Sequence, residues 1–230
     1  MARNALKGNY LVLISAQLLV FMGNFLLDLL LASVFQGEGR ATLVMYEVCS
    51  FSASLIMNVF SAGVCLMFLR LARGEEYSYT DMLHFLRNDP DRVIVAGFFI
   101  TGVTTLAALP ARYYLWKMPE DGLVDMNWIG GFWAAMVFME IMQLVLTLVF
   151  ALVYWLLCDN GEMEGLEAVK TSCCLMRGNK RRLLRLYLSF LPAMVLSLFT
   201  FGVGFLWLAP LVRETEAFFY REITGDLAEG

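Results

Sequence analysis

Apolar residues run along this chain in long unbroken stretches, and polar clusters interrupt them at wide intervals. Crossing about 30 Å of hydrocarbon takes roughly 20 residues of helix. Six stretches are long enough: residues 10–35, 44–71, 93–116, 128–157, 182–201 and 203–222. The pattern predicts an all-α polytopic membrane protein, with residues 1–230 as one membrane domain of three tandem hairpins, about 10–71, 93–157 and 182–222. Gln36-Gly37-Glu38-Gly39 turns the first hairpin, and a loop with Pro119 and Asp121-Gly122 turns the second. The third pivots on Gly202, where Gly202-Val203-Gly204 reads as a tight turn. The lead before the first stretch is short and basic, and that stretch is too long for a signal-peptide core, so it is expected to remain as a span.

The two polar connections between hairpins have their own periodicity. Ser78 followed by Asp81 has the spacing of a capping box, and Tyr79, Met82, Leu83 and Leu86 share a helical face before Asn88-Asp89-Pro90 ends it. Leu166, Val169, Cys173 and Met176 make a second stripe, opposite Glu164, Glu167 and Lys170. Amphipathic interfacial helices are therefore expected over about 78–88 and 163–177. They either lie in the cytoplasmic interface with the apolar side down or cover the inner mouth of the bundle. A short unit also recurs before each hairpin: an apolar pair, a cation and an elbow residue, at 5–9, 85–88 and 175–179. Three hairpins of like orientation describe this better than the inverted repeats of many transporters.

Composition agrees. The chain is 60% hydrophobic and 17% charged, with a mean hydropathy of +0.67, outside the range of soluble domains. The net charge of -4 hides segregated cations. With the N-terminus inside, the inner segments hold Arg3, Lys7, Arg70, Arg73, Arg87, Arg92, Lys170, Arg177, Lys180, Arg181, Arg182, Arg185, Arg213 and Arg221, and the outer ones only Arg40, Arg112 and Lys117. Since Lys and Arg are retained on the cytoplasmic side, both termini are expected there. Nucleic acid is not an expected partner. The five cysteines, Cys49, Cys65, Cys158, Cys173 and Cys174, have neither disulfide nor zinc spacing. Cys173-Cys174 could accept a lipid, or Cys173 could belong to the buried stripe. The lone His84 predicts no metal site, and no cofactor is expected.

Charges at hydrocarbon depth cost roughly 2.5–3.5 kcal/mol each, so each needs a partner or a task. Helical rise puts Glu140 about 18 Å below the outer end of the fourth span and Arg213 about 16 Å past Gly202. The depths match, which predicts a Glu140–Arg213 pair with Gln143, Asn24 and Asn58 near the same level. In the alternative geometry the last hairpin is short and dips, and Arg213 and Glu216, three apart, satisfy each other. Asp28, Arg40, Glu47 and Arg112 project near the outer boundary and are expected to form an interfacial ion-pair cluster, with an outward-facing vestibule as the sharper reading. Lys170, Arg177, Lys180, Arg181, Arg182 and Arg185 form the densest cationic patch, immediately cytoplasmic of a span, where anionic head groups gather.

The chain also resembles a known family. The resemblance is carried by Arg177-Gly178-Asn179-Lys180-Arg181-Arg182-Leu183, the run Leu186-Tyr187-Leu188-Ser189-Phe190 and the turn Phe199-Thr200-Phe201-Gly202-Val203-Gly204. Leu206-Trp207-Leu208-Ala209-Pro210 and Ala217-Phe218-Phe219-Tyr220-Arg221-Glu222 extend it. The links Arg73-Gly74-Glu75-Glu76 and Leu6-Lys7-Gly8-Asn9 look similar too. These features resemble the bacterial integral membrane proteins of domain-of-unknown-function family 975. The resemblance implies six spans in the bacterial cytoplasmic membrane, and it brings no reaction, cofactor or catalytic residue. The leading expectation is a non-enzymatic membrane module that engages anionic lipid, a membrane partner protein or a second copy of itself through the amphipathic helices and basic elbow. Its rival is a small transporter or exporter component with a polar centre at Glu140 and Arg213. An intramembrane enzyme is the weakest reading, because no nucleophile and base share a depth.

Overall fold

A computed structural model describes residues 10–36, 39–117, 125–200, 202 and 204–226, and its regular elements are all helices. In chain order these are α1 (Tyr10–Val34), α2 (Arg40–Arg73), α3 (Tyr79–Met82), α4 (His84–Arg87), α5 (Pro90–Trp116), α6 (Met126–Phe150), α7 (Val153–Asp159), α8 (Gly165–Leu175), α9 (Lys180–Phe199) and α10 (Phe205–Thr224). Five helices are long and apolar enough to cross a membrane: α1, α2, α5, α6 running on into α7, and α9. Their outward faces carry large apolar side chains such as Phe25, Phe98, Trp133 and Leu196. A membrane protein needs such a lipid-facing surface, because the hydrocarbon cannot solvate polar groups.

The sixth apolar stretch does not pass the same test. α10 contains Arg213, Glu214, Glu216, Arg221 and Glu222, and it buries Leu208, Glu214, Glu216, Ala217, Phe219 and Tyr220 against its neighbours. It packs on α1, α2 and α9. A helix enclosed by other helices can carry charges that a lipid-facing helix cannot.

Packing is dense toward the end where α2 finishes and α5 begins, which we call the basic end. Trp155, Tyr220, Phe68, Phe85 and Met176 are fully buried there, and the rings of Trp155 and Tyr220 stack with centroids 6.5 Å apart. The fourth apolar stretch is broken between Phe150 and Val153, which lets α7 bury Val153, Trp155, Leu156 and Leu157. Ser172 of α8 donates to the carbonyl of Val149, just before the break, at 2.9 Å.

Both connections fold into the bundle. Ser78 N–H donates to the Asp81 carboxylate at 2.9 Å, which completes the expected capping box. The expected single helix is instead two short turns that share Leu83 as a junction. That break re-aims the stripe: Met82 and Phe85 are buried, whereas Tyr79 and Leu86 are exposed. In α8 the buried face is Gly165, Ala168, Val169 and Ser172, with Met176 beyond its end, whereas Leu166 is exposed. Small residues let backbones approach, and they take the inner face. A Cβ on Gly165 would stand 2.3 Å from the Arg92 carbonyl oxygen. α8 thus covers the mouth of the bundle, the second of the two expected placements.

Candidate functional site

Three polar sites emerge from this packing. The first is an ion network at the basic end. Arg73, the last residue of α2, donates to Asp159 at 2.5 Å and to Asp226 at 3.0 Å. Asp159 also accepts from the Tyr220 hydroxyl at 2.7 Å, and Asp226 from Arg221 Nε at 2.9 Å. Arg221 reaches the Ala72 carbonyl as well. Arg73 and Arg221 hold the Asp226 carboxyl below the usual aspartate range, the Arg73 hydrogen bond contributing most. Arg70 binds Asp81 at 2.6 Å, and Arg92 donates to the carbonyls of Asn160 and Met163. These contacts tie the ends of α2, α7 and α10 together.

The second site is the elbow before α9. Gly178 adopts φ +92°, a left-handed conformation that glycine takes without a Cβ clash. Asn179 donates its side-chain amide to the Leu175 carbonyl at 2.9 Å. The unit before α5, at 85–88, is followed by a left-handed residue, Asp89 at φ 51°, and the first copy of the unit lies outside the described residues. Of the six expected cations, Arg182 pairs with Glu222 at 2.5 Å. Lys170, Arg177, Arg181 and Arg185 are exposed and Lys180 is half-buried. None of these five is in an ion pair among the described residues.

The third is a cavity of about 510 Å³ within the bundle, with walls from α1, α2, α5, α6, α7, α9 and α10. Arg213, Glu216 and Tyr187 give it a polar side. Arg213 Nη1 donates to Glu216 Oε2 at 3.1 Å, and the Tyr187 hydroxyl donates to Glu216 Oε1 at 2.8 Å.

The Glu140–Arg213 pair is therefore not formed. Arg213 pairs with Glu216, three residues on along the same helix, while Glu140 lies exposed on α6. Arg213 lines the cavity with Phe150 and Tyr154, well along the segment from Glu140, so the expected match in depth fails. Of the polar residues expected beside them, only Asn58 shares the cavity with Arg213. Its amide donates to Thr101 Oγ1 at 3.2 Å. Gln143 reaches the Thr104 carbonyl at 3.5 Å, and Asn24 bonds back to Val20 within α1. The outer cluster reduces to one ion pair, Glu47 with Arg112. Asp28 is exposed and joins no ion pair among the described residues; the side chain of Arg40 lies outside them, as do Pro119 and Asp121-Gly122. Cys173 is half-buried and Cys174 exposed, and all five cysteines are free.

Sequence reasoning missed Glu214 and Tyr187. Glu214 is fully buried, and neither carboxylate oxygen has a hydrogen-bond partner; its only signal was its place beside Arg213. Nothing in the spacing marked Tyr187, since its partner lies 29 residues away.

No curated protein and no solved structure matches the chain. The family described as "Protein of unknown function (DUF975)" matches residues 1–226, so the chain belongs to that family.

Proposed function

We propose that this is a six-crossing, non-enzymatic module of the bacterial cytoplasmic membrane, with both termini in the cytoplasm, that holds anionic lipid head groups at its basic elbow. One contrast carries the reading. Arg70, Arg73, Arg182 and Arg221 are committed to carboxylates within the fold, while Lys170, Arg177, Lys180, Arg181 and Arg185 cluster where α8 meets α9 with no acid paired to them among the described residues. Near an anionic leaflet each such cation is worth about 1 kcal/mol. Exposed cations with no internal acid are free to take an external anion, and α9 begins at that point and is apolar enough to enter the membrane. The distribution of Lys and Arg supports the orientation, and enclosure by α1 and α2 supports α10 as the sixth crossing despite its charges.

Native mass spectrometry of the protein extracted from mixed-lipid membranes tests the lipid reading. Wild type is expected to retain anionic over zwitterionic phospholipid, and Lys180→Gln with Arg181→Gln and Arg185→Gln to lose that preference. Equal retention of both lipid classes by wild type defeats the reading. A reporter that works only in the cytoplasm, fused to either terminus, tests the orientation; an inactive fusion at one end removes the even number of crossings.

A further inference from the structure

The cavity is a different site from the elbow, and the charged groups that line it are one ion pair, Arg213 with Glu216. Both oxygens of Glu216 are occupied, by Tyr187 and by Arg213. A guanidinium carries five N–H groups, and Arg213 gives Glu216 one of its nitrogens. The Arg213 side chain is 40% exposed and that of Glu216 12%, so the pair turns donors, not acceptors, toward the open space. Leu146, Phe150, Met194, Phe205 and Leu208 give it apolar walls, and neutral polar side chains such as Gln17 and Asn58 also line it.

We propose that this cavity binds an amphiphile with one anionic head, a carboxylate or a phosphate monoester, held on the free N–H groups of Arg213, and a single apolar chain along Leu146, Phe150, Met194 and Phe205. Three arguments select this class. Charge-assisted hydrogen bonds from a guanidinium to an oxyanion are roughly twice as strong as neutral ones, so an alcohol of equal chain length gains much less. A cationic head would meet Arg213 first and find the only carboxylate lining the cavity already bonded on both oxygens. At about 30 Å³ for each water-sized group, 510 Å³ admits about 17 non-hydrogen atoms. That is room for a head and a chain of about a dozen carbons. Glu216 keeps its Tyr187 hydrogen bond while Arg213 is shared between the two anions.

The test uses the full chain in nanodiscs of zwitterionic lipid, with laurate, dodecyl phosphate, 1-dodecanol, dodecyltrimethylammonium and inorganic phosphate as probes. The readouts are the unfolding midpoint from tryptophan fluorescence and the bound stoichiometry by native mass spectrometry. Laurate and dodecyl phosphate are expected to raise the midpoint saturably with one molecule bound; the alcohol, the ammonium and inorganic phosphate are expected to bind at least tenfold more weakly. Arg213→Gln combined with Glu216→Gln removes both charges together and is expected to lower laurate affinity at least tenfold. Dodecanol binding as tightly as laurate overturns the headgroup assignment, and inorganic phosphate binding as tightly as dodecyl phosphate overturns the need for a chain. Laurate affinity within twofold of wild type in the double variant removes Arg213 from the site. Absence of saturable binding by wild type overturns the proposal whatever the variants do. The probe comparison on the unaltered protein therefore decides the matter even if the double variant does not fold. Neutralising Lys180, Arg181 and Arg185 is expected to leave laurate binding unchanged, which separates this site from the elbow.

Discussion

Replacing Glu214 with leucine should make this protein more stable. Glu214 sits on the face of α10 that packs into the bundle, with 0% of its surface exposed and both carboxylate oxygens without a hydrogen-bond partner. A nearby group, the Tyr77 hydroxyl, is also buried and unbonded. A buried polar group left without a partner costs about 1–3 kcal/mol, and exchange of buried charged groups for well-packed apolar ones is often stabilising. Leucine spans a similar distance and brings no polar atom, so the expected gain is about 2 kcal/mol. For a chain of this size each kcal/mol moves the midpoint by about 2–4 °C, which gives a rise of roughly 4–8 °C. Glu214→Gln keeps two polar atoms in the same place and should gain less than half as much. Thermal unfolding in detergent, followed by tryptophan fluorescence, measures both. A Glu214→Leu midpoint below that of wild type refutes the reasoning, because Glu214 would then have to make a favourable contact that its static surroundings do not supply.

Other outcomes follow from the same geometry. Arg73→Gln removes the donor shared by Asp159 and Asp226; with about a quarter of that side chain exposed, the loss should be about 2 kcal/mol, measured by the same unfolding assay. Asp226 has its carboxyl held below the usual range by Arg73 and Arg221. Its contribution should be complete above the unfolded aspartate value of about 4 and fade as pH falls through the lower folded value. The midpoint difference between wild type and Asp226→Asn should therefore stay constant from about pH 7 to 5 and shrink below about pH 4. Gly165→Ala places a Cβ 2.3 Å from the Arg92 carbonyl oxygen and 2.8 Å from the Ala96 nitrogen, both backbone atoms that cannot swing aside. It should cost about 1–3 kcal/mol and lower the midpoint, whereas Gly161→Ala, with open space around it, should not.

How much of the site could be read from the residues depended on which coordinate the reading needed. Rise per residue is constant, but a depth counted from an assumed span end inherits that assumption: Glu140 and Arg213 count to one depth, yet Arg213 lines the cavity with Phe150 and Tyr154. Azimuth needs a polar face to register against, and α6 is apolar almost all round, so nothing showed that Glu140 faces away from the cavity. Arg213 and Glu216 were legible as a pair because spacing on one helix sets depth and azimuth together. Tyr187 was not, since its contact with Glu216 depends on how α9 lies on α10. The buried side of α8 combines small residues, Gly165, Ala168 and Ser172, with Val169 of the apolar stripe and leaves Leu166 exposed, because close backbone approach rewards small residues.

The last apolar stretch shows the deeper reason. Hydropathy measures what a helix would lose by facing lipid, so it finds the helices whose surfaces do face lipid. α1, α5 and α9 are mostly uncovered and were legible for that reason. α10 fails the same measure because of its charges, and its neighbours cover the acids at its middle: Glu214 and Glu216 are buried, α1 and α2 pack on one side, and Tyr187 of α9 meets Glu216 on another. Those charges give it two roles along one helix. Toward its start, Arg213 and Glu216 form the polar side of the cavity, and toward its end, Tyr220 and Arg221 join Asp159 and Asp226 in the network that closes the basic end. A helix that supplies both must be polar in its middle, and a helix polar in its middle must be enclosed. The charges that keep this segment from passing as a lipid-facing span are thus met by the helices packed against it.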